Sequence, residues 1–597
     1  ALWAEIAASQ WLRRSVQNWF CYAFLLMRSI HFSAWLLVAL SALLQILIFP
    51  LPGLYILSWF ALAPLILAVL RARPAGELEI DGSVKLRAAS PWQAFLLAYV
   101  CGVLWFAGTC YWIFGTMRQF GGMSTPLALL ALFLFCLYLG LYHGLFGLLL
   151  GLMAGPGRDY RRALVAAPFL WVAAELARTR ITGFPWNLLG TAQVDNVPLC
   201  RIATWTGVYG ISCEIVLVNV AVAAAFLVPR QKRAALLVAA LAAAAVLQSG
   251  RLIEPPAATA NREALLVQQN IPIAVRWPPD YYDHTLRDLT SLTLKSAADR
   301  AAQVSSGPAS SGPASSGQGP TTKPDLIIWP ESPAPFYTSD PRFRNAISDM
   351  ARRAGTWVVT GSIGTAPAAQ SGGQELIFNS AVVVSPTGEW TGRYDKVHLV
   401  PFGEYLPFPS LFSFAGGLSK EVGEFEPGNS RVPLDAGDAK LGIFICYESV
   451  FPDDVRQFAN QGAPYDQHGT AVPPYMNMGY TGEVFVNISN DGWYGDSGAW
   501  SQHVNQTRMR AIENERWILS AANTGLTGSI DPYGRMVVQL PRKERTTLVA
   551  PYALTYITTF YSRHGDWFAM LCAIISIAAL IERFAFSKNR KKVDSSA

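Results

Sequence analysis

The chain has 597 residues, of which 52% are hydrophobic and only 15% charged, with a positive mean hydropathy. That length exceeds one ordinary domain, and that apolarity excludes a purely water-soluble protein. The net charge of +6 comes with no basic patch interleaved with aromatics, so nucleic acid is excluded as an expected partner.

Residues 1–32 read as a cytoplasmic or interfacial N-terminal segment. They lack the short hydrophobic core and small-residue cleavage site of a signal peptide, so the first span is expected to be retained as an anchor. Residues 33–250 are nearly all apolar and divide into about seven spans, at 33–50, 53–71, 92–114, 125–153, 162–178, 204–228 and 233–249. An eighth is expected at 566–584, followed by a basic tail at 585–597. Basic residues gather in alternate loops: Arg13, Arg14 and Arg28, then Arg71, Arg73, Lys85 and Arg87, then Arg158, Arg161 and Arg162, then Arg230, Lys232 and Arg233, then Arg583, Lys588 and Arg590. By the positive-inside rule both termini are cytoplasmic and residues 251–565 face the other side.

Residues 251–565 alternate strand-like and helix-like segments. Strands are expected at 264–269, 325–329, 357–360, 377–385, 441–446, 484–488, 517–522, 527–531 and 535–540, with helices at 281–300, 341–353, 449–460 and 501–516. Short apolar strands separated by helices predict a layered α/β domain. The Ser/Gly/Pro-rich insert 301–322 reads as a disordered surface loop. A second irregular stretch, 460–482, is too rich in large apolar residues to be a plain linker.

Four expected strands end in polar residues: Trp329-Pro330-Glu331-Ser332, Tyr394-Asp395-Lys396 through Gly403-Glu404, Cys446-Tyr447-Glu448, and Asn487 through Gly495. Strand ends are where layered α/β domains gather reactive groups. Cys446 is the only cysteine between Cys213 and Cys572. It would attack as a thiolate, favoured by the start of a following helix. Glu331 could take its proton if partial burial raises its pKa, and Lys396 could hold the oxyanion of a tetrahedral intermediate. The competing readings are that Cys446 is an inert packing residue, that Glu331 and Lys396 are solvated surface groups, and that Trp277 and Trp493 are packing residues. His398 could be a base, but no partner pattern selects it. No His/Cys/Asp cluster has metal-ligand spacing, and neither a metal nor a cofactor is expected.

These segments, in this order, resemble the carbon–nitrogen hydrolase (nitrilase) superfamily. In their longer forms, Leu326 to Ser332, Asp395 to Glu404 and Ile445 to Glu448, they resemble the bacterial apolipoprotein N-acyltransferases, as do Phe120-Gly121-Gly122-Met123 and Thr182-Gly183-Phe184-Pro185-Trp186. The resemblance implies a polytopic helical membrane bundle carrying an αββα sandwich domain. It also implies Glu331 as general base, Lys396 as stabiliser of the intermediate and Cys446 as nucleophile. Glu404, Tyr447 and Glu448 would support the site, and Trp277 and Trp493 would handle substrate. The implied reaction loads an acyl chain from a membrane phospholipid, typically phosphatidylethanolamine, onto Cys446 as a thioester. The α-amine of a diacylglyceryl-cysteine at the start of an apolipoprotein then takes the chain. The implied location is the bacterial inner membrane, with the catalytic domain periplasmic. Tyr405 to Phe414 is expected either to form a membrane-dipping lid or to be core. Three further classes compete. A membrane-tethered amidase acting on a soluble small molecule would not need seven preceding spans. A transporter is disfavoured by sparse intramembrane charge, Glu175 and Glu214 being the main cases. A catalytically dead scaffold is disfavoured by the complete Glu/Lys/Cys set.

Overall fold

The computed structural model describes residues 27–78, 84–155, 160–273, 277–306, 323–332, 334–367, 375–401, 403–405, 425–460 and 481–594. The expectations for most of the insert 301–322, for the loop 405–414, for 460–482 and for most of the segment 1–32 therefore fall outside the described residues.

The N-terminal half is a helical bundle: α1 Phe32–Ile48, α2 Ala63–Leu70, α3 Pro91–Thr109, α4 Trp112–Gln119, α5 Thr125–Ala154, α6 Arg161–Ala177, α7 Val208–Leu227 and α8 Arg230–Ser249. A hairpin of β1 (Arg73–Leu78) and β2 (Val84–Arg87) links α2 to α3. Local chemistry sets the ends. Ser90 and Gln93 form a reciprocal capping box at the start of α3, with Pro91 in its first turn. Gly140, Gly144, Gly147 and Gly151 give α5 a stripe of small residues against α3. A Cβ on Gly147 would lie 2.3 Å from the Ala94 carbonyl oxygen, so the close approach of these helices requires glycine there.

Among the described residues, five helices are long and apolar enough to cross a membrane: Pro91–Thr109, Thr125–Ala154, Val208–Leu227, Arg230–Leu252 and Trp567–Ala585. The spans expected at 33–50 and 162–178 are 17-residue helices. The span expected at 53–71 is broken into a 3-10 turn, Tyr55–Trp59, and the 8-residue α2. Pro64 at the start of α2 removes a backbone donor. Asn219 of α7 satisfies the groups freed by the break: its Oδ1 accepts from the Leu62 and Ala63 N–H at 2.8 and 2.9 Å, and its Nδ2 donates to the Ser58 carbonyl at 2.7 Å.

The other half contains two six-stranded sheets. The elements are β3 Arg262–Gln268, α9 Pro279–Ser306, β4 Leu326–Ile328, α10 Pro341–Ala354, β5 Trp357–Pro367, β6 Glu375–Val384, β7 Trp390–Asp395, β8 Leu434–Ala436, β9 Ala439–Ile445, β10 Val484–Ser489, α11 Ala499–Asn514, β11 Ile518–Ala522, β12 Gly528–Ile530, β13 Met536–Gln539, β14 Thr546–Tyr552 and the final helix α12 Trp567–Asp594. The first sheet runs β14-β3-β4-β5-β6-β7 and the second β13-β12-β11-β10-β9-β8. Each is parallel at its centre (β3-β4-β5 and β9-β10-β11) and antiparallel at its edges.

Alternation along the strands fixes the layers. Ala264, Leu266, Ile328 and Val359 meet Ile443, Ile445, Val486 and Ile488 in one core between the sheets. Their neighbours Leu265, Val267, Ile327 and Val358 face Leu289, Phe343 and Ile347 of α9 and α10. On the far side α11 shares Ala511 with the inter-sheet core and Met509 and Ile512 with the bundle core. It contributes to both cores. Ion pairs fasten the junction: Arg180 to Asp453 at 2.9 Å and to Asp566 at 2.6 Å, and Arg508 to Asp195 at 2.5 Å.

In this half one expected helix is broken up. The helix expected at 449–460 is a 3-10 turn, Cys446–Val450, then a four-residue helix, Pro452–Val455, then a second 3-10 turn. Pro452 forces Phe451 into an extended conformation (φ −94°, ψ 102°). No long helix therefore begins behind Cys446, and the expected helix-dipole support for a thiolate is withdrawn.

Candidate active site

Glu331 stands three residues beyond β4, in a loop that passes hard against β5. The Gly361 N–H donates to the Pro330 carbonyl at 3.2 Å. A Cβ on Gly361 would lie 2.5 Å from that oxygen and 2.8 Å from Glu331 Cα. Lys396 follows β7 directly, and its N–H donates to the Asn379 carbonyl of β6 at 2.8 Å. The Lys396 ammonium donates to Glu404 Oε1 at 2.8 Å and reaches Glu331 Oε1 at 3.3 Å. Asn379 Nδ2 donates to the same two oxygens, at 2.6 Å each. The other Glu404 oxygen accepts the Val400 N–H at 2.7 Å. The other Glu331 oxygen, Oε2, is buried without a hydrogen-bond partner, which leaves one carboxylate oxygen available to a proton. Burial lowers the Lys396 pKa, but Glu331 and Glu404 outweigh it and hold the group above its ordinary value. Lys396 is an ammonium ion.

Cys446 follows β9 with a left-handed backbone, φ +50°. Its thiol is pushed well above its ordinary value by burial first and then by the charges of Glu331 and Asp491. Lys396 and the Asn490 N–H pull the other way. The resting group is therefore a thiol, and it becomes a nucleophile only as its proton leaves.

Glu448 sits beside this site without facing it. Its Oε1 accepts from the Tyr394 hydroxyl (2.7 Å) and from the Val397 and His398 N–H (2.8 and 3.1 Å), and its Oε2 accepts from the Ile445 N–H (2.7 Å). It ties the loop after Lys396 to the strand that delivers Cys446. Burial raises its pKa against these hydrogen bonds. His398 is paired with Asp454 at 2.5 Å and stacked on Phe451, so its contacts are structural.

Two sequence models match the chain: the apolipoprotein N-acyltransferase N-terminal domain over residues 41–221 and the carbon-nitrogen hydrolase over residues 291–561. The apolipoprotein N-acyltransferase of Geobacter metallireducens is 33% identical over 93% of this chain and 95% of its own. That of Methylococcus capsulatus is 31% identical over 85% and 90%. The chain belongs to the apolipoprotein N-acyltransferase family. It is a multi-pass membrane protein with an enzyme domain of the nitrilase superfamily. A crystal structure of a carbon-nitrogen hydrolase from Helicobacter pylori G27 is similar over 49% of this chain and 88% of that one, at 14% identity and a TM-score of 0.32.

The bundle segments that carried the family resemblance lie at the junction with this site. The Tyr447 hydroxyl donates to the Gly183 carbonyl at 3.1 Å. Trp493 meets Phe120 edge-on at 5.1 Å, and its carbonyl accepts from the Thr116 hydroxyl at 2.9 Å. Trp186, fully buried, donates from its indole to Gln502 of α11 at 2.6 Å. Trp277 stands two residues before α9. It packs with Tyr281 and Phe336 at the edge of the α9/α10 layer.

Sequence reasoning missed three residues. Asn379 lies mid-strand in an apolar run, where its only signal is being the one amide there. Asp491 and His503 come together with Cys446, their ligand-type atoms all within 4.8 Å of one another. Both His503 ring nitrogens already face protein oxygens, Nδ1 at Asp491 and Nε2 at the Cys446 carbonyl. The trio reads as a His503–Asp491 ion pair set against the Cys446 backbone before it reads as a metal site.

Proposed function

We propose that the chain transfers a fatty acyl group from a membrane phospholipid to the N-terminal α-amine of a diacylglyceryl-modified apolipoprotein, through a thioester on Cys446. The observation that carries this reading is the Lys396 ammonium held between Glu331 and Glu404, beside a buried thiol at a strand end. Glu331 takes the thiol proton on its unpartnered oxygen as sulfur attacks the sn-1 ester carbonyl. Lys396 stabilises the oxyanion in a site closed to water. Collapse of the intermediate expels the glycerol oxygen, which recovers the proton from Glu331 and leaves as lysophospholipid. The apolipoprotein amine then attacks the thioester and gives a proton to Glu331, and the sulfur departs as the amide forms, taking that proton back to restore the thiol and the carboxylate. One covalent intermediate in two half-reactions predicts ping-pong kinetics. The donor is a phospholipid such as phosphatidylethanolamine.

Both substrates are lipid-anchored, and the seating of the site on the bundle through Tyr447, Trp493 and Trp186 suits that requirement. About eight spans are proposed, with the shorter α1, the broken second segment and α6 completing the bundle. On the distribution of basic loops, both termini are cytoplasmic and the catalytic domain is periplasmic in the bacterial inner membrane. The test is to incubate the full-length protein with phosphatidylethanolamine vesicles and analyse the Cys446 peptide by mass spectrometry. A hydroxylamine-labile acyl adduct is expected in the wild type and not in Cys446→Ser. An unmodified wild-type peptide, or an adduct that persists in the variant, defeats the mechanism.

A further inference from the structure

A left-handed backbone is unfavourable for a residue with a side chain, so the Cys446 turn has to be held by its surroundings. From one side Glu448 accepts the preceding N–H, that of Ile445, at 2.7 Å. From the other, His503 Nε2 lies 3.0 Å from the Cys446 carbonyl oxygen and 2.8 Å from Ser449 Oγ. His503 Nδ1 lies 3.1 Å from Asp491 Oδ1, and both side chains are 2% exposed. Trp186 lies parallel to the imidazole and Tyr494 tilts against it.

The partners dictate the protonation. A carboxylate and a carbonyl accept and never donate, so a hydrogen on each ring nitrogen meets both oxygens, whereas a Ser449 hydroxyl donating to a bare Nε2 would leave the Cys446 carbonyl unmet. A bare Nε2 would set its lone pair against that of the Cys446 carbonyl. Burial lowers the His503 pKa, but Asp491 and the Cys446 carbonyl outweigh it and raise it. The Cys446 sulfur, an Asp491 carboxylate oxygen and a His503 ring nitrogen lie within 4.8 Å of one another.

We propose that the buried His503–Asp491 ion pair is the positioning element of the nucleophile. It clamps the Cys446 carbonyl and brings the Asp491 carboxylate within 4.8 Å of the sulfur, so that the left-handed turn and its thiol are held as one unit. Neither side chain touches substrate. The inference rests on Cys446 being the acyl carrier proposed above.

The experiment compares His503→Gln with His503→Asn in the full-length protein, following alkylation of the Cys446 peptide by iodoacetamide and acyl loading from phosphatidylethanolamine. A glutamine amide can stand where Nε2 stands and donate to the Cys446 carbonyl. An asparagine amide reaches only the Nδ1 position and leaves that carbonyl unmet. His503→Gln is expected to keep both rates within about threefold, and His503→Asn to lower both by about tenfold or more with an unchanged KM for phospholipid. Equal rates for the two variants, high or low, would overturn the proposal. If the wild type is alkylated with this contrast yet never forms a thioester, the acyl-transfer reading fails and the positioning role stands. Should His503→Asn not fold, nitrogen-15 NMR of the wild type at pH 8 decides. The histidine signal that His503→Gln removes must show both nitrogens protonated, and a singly protonated ring there overturns the proposal.

Discussion

Replacing Lys396 by methionine keeps most of the buried stem and removes the charge. The side chain is 1% exposed and bridges Glu331 and Glu404 at 3.3 and 2.8 Å. Without it, two buried carboxylates face each other across a single amide, Asn379 Nδ2 at 2.6 Å from each. Removing one partner of a buried, hydrogen-bonded pair costs about 3–5 kcal/mol, because the other is left uncompensated. At 2–4 °C per kcal/mol, the range for domains of 150–250 residues, the melting temperature should fall by about 10 °C. Glu404→Gln in the same chain deletes one of the two stranded charges. The double variant should therefore be more stable than the sum of the single effects by about 1–3 kcal/mol. Thermal unfolding in detergent measures these differences, and mass spectrometry of the Cys446 peptide measures loading. Loading should drop by about 100- to 1,000-fold in Lys396→Met and stay low in the double variant, since the oxyanion partner is still missing. Strict additivity of the stability effects, or a Lys396→Met protein that melts like the wild type, would refute the idea that the three charges form one unit.

Gly361→Ala should push the Glu331 loop outward, because the new methyl would meet backbone at 2.5 and 2.8 Å and backbone cannot swing aside. A loss of about 1–3 kcal/mol is expected by thermal unfolding, with Cys446 loading reduced at least tenfold by mass spectrometry, and normal loading would contradict the assigned place of Glu331. The Asp195 carboxyl, between Arg508 of α11 and Arg251 below α8, gives a pH test. Burial would raise its pKa, but the two arginines outweigh it and hold the carboxyl below its ordinary 3.8. A depressed folded-state pKa means stability that is fully present above the unfolded value and is lost as pH falls through the folded one. The difference in melting temperature between wild type and Asp195→Asn should thus be constant from pH 7 to 5 and shrink below about pH 4. A gap that widens on acidification would reverse the assignment.

The meeting of Cys446, Glu331 and Lys396 was legible because each belongs to a short contiguous motif at a strand end, where the sequence pattern and the proposed chemistry coincide. Asn379 and the Asp491–His503 pair were not. Asn379 acquires its role only when β6 pairs with β7 and brings it against Lys396, and no local spacing encodes that register. His503 lies on a helix face 57 positions from the carbonyl it touches, and a buried histidine in an otherwise ordinary helix carries no signal of its partner. The break within 53–71 was not legible for a related reason. Hydropathy sees apolar residues but not that Asn219, far along the chain, can satisfy a break in the helix.

Glu448 separates proximity in sequence from participation in chemistry. Two positions after the nucleophile, it was grouped with the substrate-binding and supporting residues of the site. Yet both its oxygens are committed, to one hydroxyl and three backbone N–H groups. A carboxylate with its acceptor sites filled in this way has none directed at the sulfur, whereas Glu331 has an oxygen with no partner at all. The distribution of occupied and unoccupied acceptor sites supports the base role proposed for Glu331 and leaves Glu448 to hold the Lys396 loop and the Cys446 strand in register.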